Sequence, residues 1–323
     1  MRVLLKTLLL VALIATSGQA AAAETWPARP VRFILSQGAG SSPDITARIV
    51  ADRLSRAWGQ QVIVENRPGG QNIIGAQLAA RATPDGHNFF FATTAAIVMN
   101  PFTFKSLPYD PQKDFAPVAM VAISPFVLAV HPGVPVKSLA ELIALDKAQP
   151  GKLALANEGP RTFGGMMGQM LNLTAGMKLL PVPYVAPPPA IQDTIGGRTQ
   201  VVLVSSATVA TYLTRGDLRP LAVTAAKRVP GLEQVPTLSE TFPGFEYVGW
   251  YVLLAPAGTP ARIVQRVNRD VDRVLRDPEV VNRLREMGQV TEGAGTTETT
   301  AKFLSAERAR WMKTVRDVGT KPE

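Results

Sequence analysis

Short apolar runs and helical spacings alternate along most of the chain. Val31–Leu35 has the length of a strand and breaks at Gln37-Gly38-Ala39-Gly40. Ile45, Ile49 and Leu54 then share one helix face. Val62–Val64 reads as a second strand, Ile74 to Ala82 as a helix and Phe89–Ala92 as a third strand. This β-α-β-α-β order predicts a parallel sheet flanked by helices. The same order returns later. Leu153–Ala156 is a strand and Gly164–Ala175 a helix. Val182 and Tyr184 end a short strand, Pro189–Ile195 starts a helix, and Val201–Val204 is a buried strand. Val264, Val267, Val271, Val274 and Leu275 mark a helix near the C-terminus; Phe303, Trp311 and Val315 mark another, more loosely.

Two long apolar runs interrupt the alternation, Val118–Val130 and Tyr247–Ala255. A chain that leaves one α/β unit, builds a second and returns has two connections, on which two lobes can close over a cleft. The expected division is residues 24–122 with 247–323 for the first lobe and 123–246 for the second. Residues 1–23 read as a secretory signal peptide. Arg2 and Lys6 precede a short apolar stretch, and small residues lead to an A-x-A end at Ala23. No later segment approaches 18 uninterrupted apolar residues, so the mature chain is expected to be soluble and periplasmic.

Composition narrows the chemistry. The chain has 323 residues, enough for two domains of roughly 150 residues each. It contains no Cys and only two His, His87 and His131. Disulfides, thiolate metal sites, cysteine nucleophiles and a lipoprotein anchor are thereby excluded, and a His-rich metal cage is hard to build. The net charge is +9. Arg262, Arg266, Arg269, Arg273 and Arg276 are spaced to wrap a solvated helix face, with none of the interleaved aromatics of a nucleic-acid site. No nucleic-acid partner is expected.

The loops after the strands carry the candidate chemistry. In an open parallel sheet a ligand sits beyond the carboxyl ends of the strands. There the first loop, running through Gly40, Ser41 and Ser42 to Asp44, reads as an N-cap at Ser42, a Pro at N1 and a first-turn acid. Its amides and the helix dipole favour an anion, although a plain capped helix would use the same residues. Gly38-Ala39-Gly40 also begins a dinucleotide fingerprint, but Pro43 replaces its third glycine. No G-x-S-x-G elbow is present, both His sit in turn sequences, and no residue cluster suggests a metal. No catalytic residue and no cofactor are expected.

Many consecutive segments carry a family resemblance. They include Trp26-Pro27-Ala28-Arg29-Pro30-Val31-Arg32, Val64-Glu65-Asn66-Arg67-Pro68-Gly69, Thr83-Pro84-Asp85-Gly86, Leu107-Pro108-Tyr109-Asp110-Pro111, Val182-Pro183-Tyr184 and Leu254-Ala255-Pro256-Ala257-Gly258-Thr259-Pro260. Over nearly the whole mature chain the sequence resembles the substrate-binding receptors of tripartite tricarboxylate transporters, the Bug family. The resemblance implies a two-lobed periplasmic binding protein of type II, a Venus flytrap. Such a receptor binds a small carboxylate in the cleft and delivers it to a membrane permease, working as a monomer. Carried over by position, the implied ligand-binding residues are Gly40, Ser41, Ser42 and Asp44 in the first loop. Gln71 and Asn72 follow in the second, and Thr93 and Thr94 after the third strand. The second lobe contributes Asn157, Gly159, Arg161, Thr162, Phe163 and Ser205. The second-lobe loops depart from the family. Arg161 replaces a small residue, Val185-Ala186-Pro187-Pro188-Pro189 replaces a polar stretch, and Val204 replaces an acid. These departures leave room for an aromatic or partly apolar acid, and also for loss of solute binding. An exported α/β enzyme acting on an anion, and a sensor subunit for a membrane signalling partner, remain open beside transport.

Overall fold

The computed structural model describes residues 26–323, so the expected signal peptide lies outside the described residues. The chain builds two five-stranded sheets. The first holds β1 (Val31–Leu35), β2 (Val62–Asn66), β3 (Asn88–Thr93), β4 (Phe115–Ser124) and β10 (Gly249–Pro256), in the order β2-β1-β3-β10-β4. The second holds β5 (Phe126–Val130), β6 (Ala154–Asn157), β7 (Leu180–Pro183), β8 (Val201–Ser205) and β9 (Arg219–Val223), in the order β7-β6-β8-β5-β9. The three expected strands of each unit pair in parallel. Each sheet is nevertheless mixed, because β10 runs antiparallel to β3 and β4, and β5 antiparallel to β8 and β9.

The two apolar runs taken as connectors are strands themselves. The run from Val118 ends β4 at Ser124, passes Pro125 and enters β5 of the other sheet. The later run forms β10, buried along its whole length between two neighbours. A strand covered on both faces must be apolar at every position, which is why it reads as an unbroken run. Where the chain passes between sheets, the crossing segments are tied together. The Phe126 amide donates to Thr224 Oγ1 at 3.0 Å, and the Tyr247 amide to the Thr224 carbonyl at 3.1 Å.

Period-two alternation divides the apolar residues between the faces. On one face of the first sheet, Phe33, Phe89, Phe91 and Leu253 pack under α1 (Ser42–Trp58) and α9 (Ala261–Leu275). On the other, Ile34, Phe90 and Leu254 join a core that continues to Leu128, Leu155 and Leu203 of the second sheet. The far face of the second sheet, with Val127, Val202 and Val204, has its own core. In α9 the expected apolar residues are buried, and Arg262, Arg266, Arg269, Arg273 and Arg276 are all exposed. The remaining helices are α2 (Ile73–Ala80), α3 (Asn100–Thr103), α4 (Leu139–Ala148), α5 (Phe163–Ala175), α6 (Pro187–Ile195), α7 (Ser206–Arg215), α8 (Leu238–Thr241), α10 (Pro278–Glu286) and α11 (Thr297–Val318). None of the described helices is long and apolar enough to cross a membrane.

Candidate binding site between the lobes

All six parallel strands end toward one place. The loops after β1, β2 and β3 and those after β6, β7 and β8 together line a cavity of about 600 Å³. Helices or helical turns begin at these junctions: α1 at Ser42, α2 at Ile73, a π-helical turn at Ala95, α5 at Phe163, α6 at Pro187 and α7 at Ser206. The first N–H groups of a helix have no acceptor within it, and its dipole adds partial positive charge at that end. At α6 the first three residues are Pro187, Pro188 and Pro189, which have no N–H, so the donors come from the other junctions. Their amides favour an anion although no Lys, Arg or His is on the wall.

In the first lobe the expected serines are on the wall, with a different division of labour. The cap residue of α1 is Ser41, not Ser42. Ser41 Oγ donates to the Gly38 carbonyl at 2.7 Å and holds the loop closed. Ser42 instead joins a buried hydroxyl network on the cavity floor. Tyr251 Oη sits 2.7 Å from Ser42 Oγ and 2.8 Å from Ser124 Oγ, and Ser124 Oγ lies 2.8 Å from Ser205 Oγ. Ser205 ends β8 and Tyr251 belongs to β10, so this network joins the two sheets directly beneath the ligand space. Burial pushes the Tyr251 phenol up to about 12, so it stays a neutral hydroxyl.

The second and third loops are locked by Gln37. Its Nε2 donates to Asn72 Oδ1 at 2.7 Å and to Thr93 Oγ1 at 2.9 Å. Gln71 and Asn72 both have left-handed backbones, with φ of 51° and 78°. Such strain in non-glycine residues persists where surrounding contacts enforce it, and here Asn100 Nδ2 also donates to the Gln71 carbonyl at 2.9 Å. Thr94 Oγ1 accepts from the Trp250 amide at 3.2 Å.

In the second lobe, Gly159, Thr162 and Phe163 are on the wall with Ser205. Thr162 caps α5: its Oγ1 accepts from the Gly165 amide at 3.2 Å and donates to the Gly159 carbonyl at 2.8 Å. The loop and helix are in such close contact that a Cβ at Gly165 would fall 1.8 Å from the Gly159 carbonyl oxygen.

Four expected residues are not on the wall. The Gly40 amide is turned inward to Asp44 Oδ2 at 2.9 Å. Asp44 is buried and spent on loop structure, accepting also from Arg48 and from Asn66 at 3.0 Å. Burial opposes its charge, yet these donors hold its carboxyl below the usual value. Asn157 Oδ1 accepts from the Gly159 amide at 2.8 Å, shaping the turn from behind. Arg161 points away from the cavity. It donates to the Thr103 carbonyl at 3.2 Å, pairs with Glu323 at 2.8 Å and stacks over Phe104. Its fork thus joins the second lobe to the first.

The wall also holds residues that the sequence reading passed over. Tyr184, Phe126, Trp250 and Tyr251 supply aromatic surface. Val185, Ala186 and Pro187 supply apolar surface from the altered second-lobe loop. Glu158, between Asn157 and Gly159, is the one acidic side chain there.

A two-sheet α/β protein with a cavity at opposed strand ends has the architecture of the periplasmic solute-binding proteins. A sequence profile described as the tripartite tricarboxylate transporter family receptor matches residues 46–320. The chain belongs to that family. It is 38% identical over 320 residues to a UPF0065 protein of Bordetella bronchiseptica, covering 99% of this chain and 95% of that one. It is 32% identical over 312 residues to BugT of Bordetella pertussis, covering 95% of each. Among solved structures, the adipate-bound Rpa4515 of R. palustris aligns with a TM-score of 0.88 at 32% identity, over 92% of this chain and all of that one. The malate-bound MatC of Rhodopseudomonas palustris aligns at 0.83 with 27% identity, over 90% of this chain and all of that one.

Proposed function

We propose that the protein is an exported solute receptor that captures a small carboxylate between its lobes and delivers it to membrane subunits of a tripartite tricarboxylate-type transporter. The observation that carries this reading is the convergence of six strand ends on one cavity with no basic side chain, five of them leading into helical turns whose first residues carry N–H donors. Backbone amides bind a carboxylate without a side-chain counter-ion, and nothing in this role calls for turnover. Adipate and malate in structural neighbours support the ligand class. The residues proposed to contact the ligand are Ser41, Ser42, Gln71, Asn72, Thr93, Thr94, Gly159, Thr162, Phe163 and Ser205. Gly40, Asp44, Asn157 and Arg161 shape or close the site. The proposed lobes are residues 24–122 with 247–323, and 123–246, with residues 1–23 as a removed leader and a monomer as the working form.

Thermal melting of the purified protein against mono-, di- and tricarboxylates tests the proposal. A ligand at 100-fold excess over its dissociation constant adds about 2.7 kcal/mol of stability. A melting temperature unmoved by every member of the panel overturns the receptor reading.

A further inference from the structure

Glu158 is out of place in an anion site. It follows β6 directly, lines the cavity and has no hydrogen-bond donor or ion-pair partner among the described residues. The other ionisable side chains on the wall are the phenols of Tyr184 and Tyr251. Both are shifted upward, Tyr184 by burial and its bond to Asp193, Tyr251 by burial. The protein therefore supplies amides for one carboxylate and nothing for its own. A carboxyl without a donor, beside helix ends that want an anion, makes the site bipolar. A dicarboxylate would bring its second charge toward a carboxyl with no cation nearby, and like charges in a partly dry cavity repel strongly.

Resting on the receptor reading above, we infer that the ligand is a carboxylate that also bears a protonated nitrogen, and that Glu158 receives that nitrogen and sets the preference against dicarboxylates. The carboxylate end takes the helix amides, and the ammonium end forms a charge-assisted bond with Glu158. The ligand thus brings the counter-ion that the fold withholds. Burial pushes the Glu158 carboxyl up to about 7, and an ammonium partner draws it back to the charged form.

Titration calorimetry on the full mature chain, wild type and Glu158→Gln, decides the matter. The probes are α,ω-dicarboxylates of four to eight carbons and the amino monocarboxylates of matching length. The expected result is that the best amino acid binds wild type at least tenfold more tightly than its matched dicarboxylate. Glu158→Gln should reduce that ratio at least tenfold. Wild type alone gives a second readout: between pH 8 and pH 6, dicarboxylate affinity should rise and amino-acid affinity fall, as Glu158 takes up a proton. Dicarboxylates binding wild type as tightly as the amino acids overturns this inference and leaves the receptor intact. A ratio unchanged by the substitution, or affinities flat between pH 8 and pH 6, also overturns it. If no member of either series binds, this inference is overturned, and the receptor reading is decided separately by the wider melting panel.

Discussion

Glu158 and Arg161, three residues apart, show how far a side chain's role depends on where its neighbours are. An arginine fork suits a carboxylate, and the sequence leaves open whether Arg161 turns into the cleft to grip one or outward. The carboxylate it meets is Glu323, from the far end of the chain. Glu158 sits in the motif Asn157-Glu158-Gly159-Pro160 and gives no sign in sequence of being confined, because burial is a property of the assembled cleft. Its consequence for stability has a definite sign. An acid whose value is raised on folding stabilises the fold fully only below its unfolded value. That contribution is lost as pH rises through about 7. Wild-type stability from this group should therefore fall by up to about 3 kcal/mol from acid to mildly basic solution. Glu158→Gln should abolish the fall and be the more stable protein at pH 8. Urea unfolding of both proteins across pH measures it, and equal slopes would refute the assignment. The serines were legible as wall residues because Ser-Ser-Pro-Asp marks a helix start. That Ser42 would turn to Tyr251, 209 positions away, had no local signal.

At the scale of elements, the strands that lead into the cavity were readable, since each is a short apolar run broken by turn residues. The helices α4 and α7 and the strand β9 were not singled out. The α7 segment, Ser206–Arg215, has a thin apolar stripe, with Ser206 and Val209 its only buried residues. Arg219–Val223 contains Pro220 and lies at the edge of its sheet, where strand signals are weakest. The junction of β6 and α5 is the element on which the site most depends. Gly165→Ala would place a carbon against the Gly159 backbone, which cannot move without displacing Glu158 and the cap at Thr162. Overpacking against backbone should cost roughly 3 kcal/mol and weaken ligand binding beyond what stability alone explains. A variant that melts like wild type and binds as tightly would show that the loop can yield.

Across the whole molecule, the lobes share more than two crossing strands. The core on the inner face is continuous between sheets. Helix α11 reaches both lobes, with Trp311 5.6 Å from the Phe163 ring and Glu307 accepting from Trp250 Nε1 at 2.7 Å. Arg161 adds a polar latch at the cleft edge, its side chain only 11% exposed. Removing the latch should favour the open form, and apparent affinity falls in proportion to the closed fraction. Arg161→Met is expected to weaken ligand binding about tenfold, close to 1.4 kcal/mol, with little change in melting temperature. Small-angle scattering should show a larger ligand-free radius of gyration; an unchanged radius and affinity would mean that Arg161 does not hold the lobes. The sequence by itself determined the alternation of strands and helices, the two α/β units and the amide-rich loops, because these follow from local periodicity and turn chemistry. The antiparallel strands β5 and β10, the hydroxyl network beneath the cavity, the outward turn of Arg161 and the isolation of Glu158 were decided only in three dimensions. Each rests on contacts between segments far apart in the chain, and spacing along a sequence carries no record of which distant surfaces will meet.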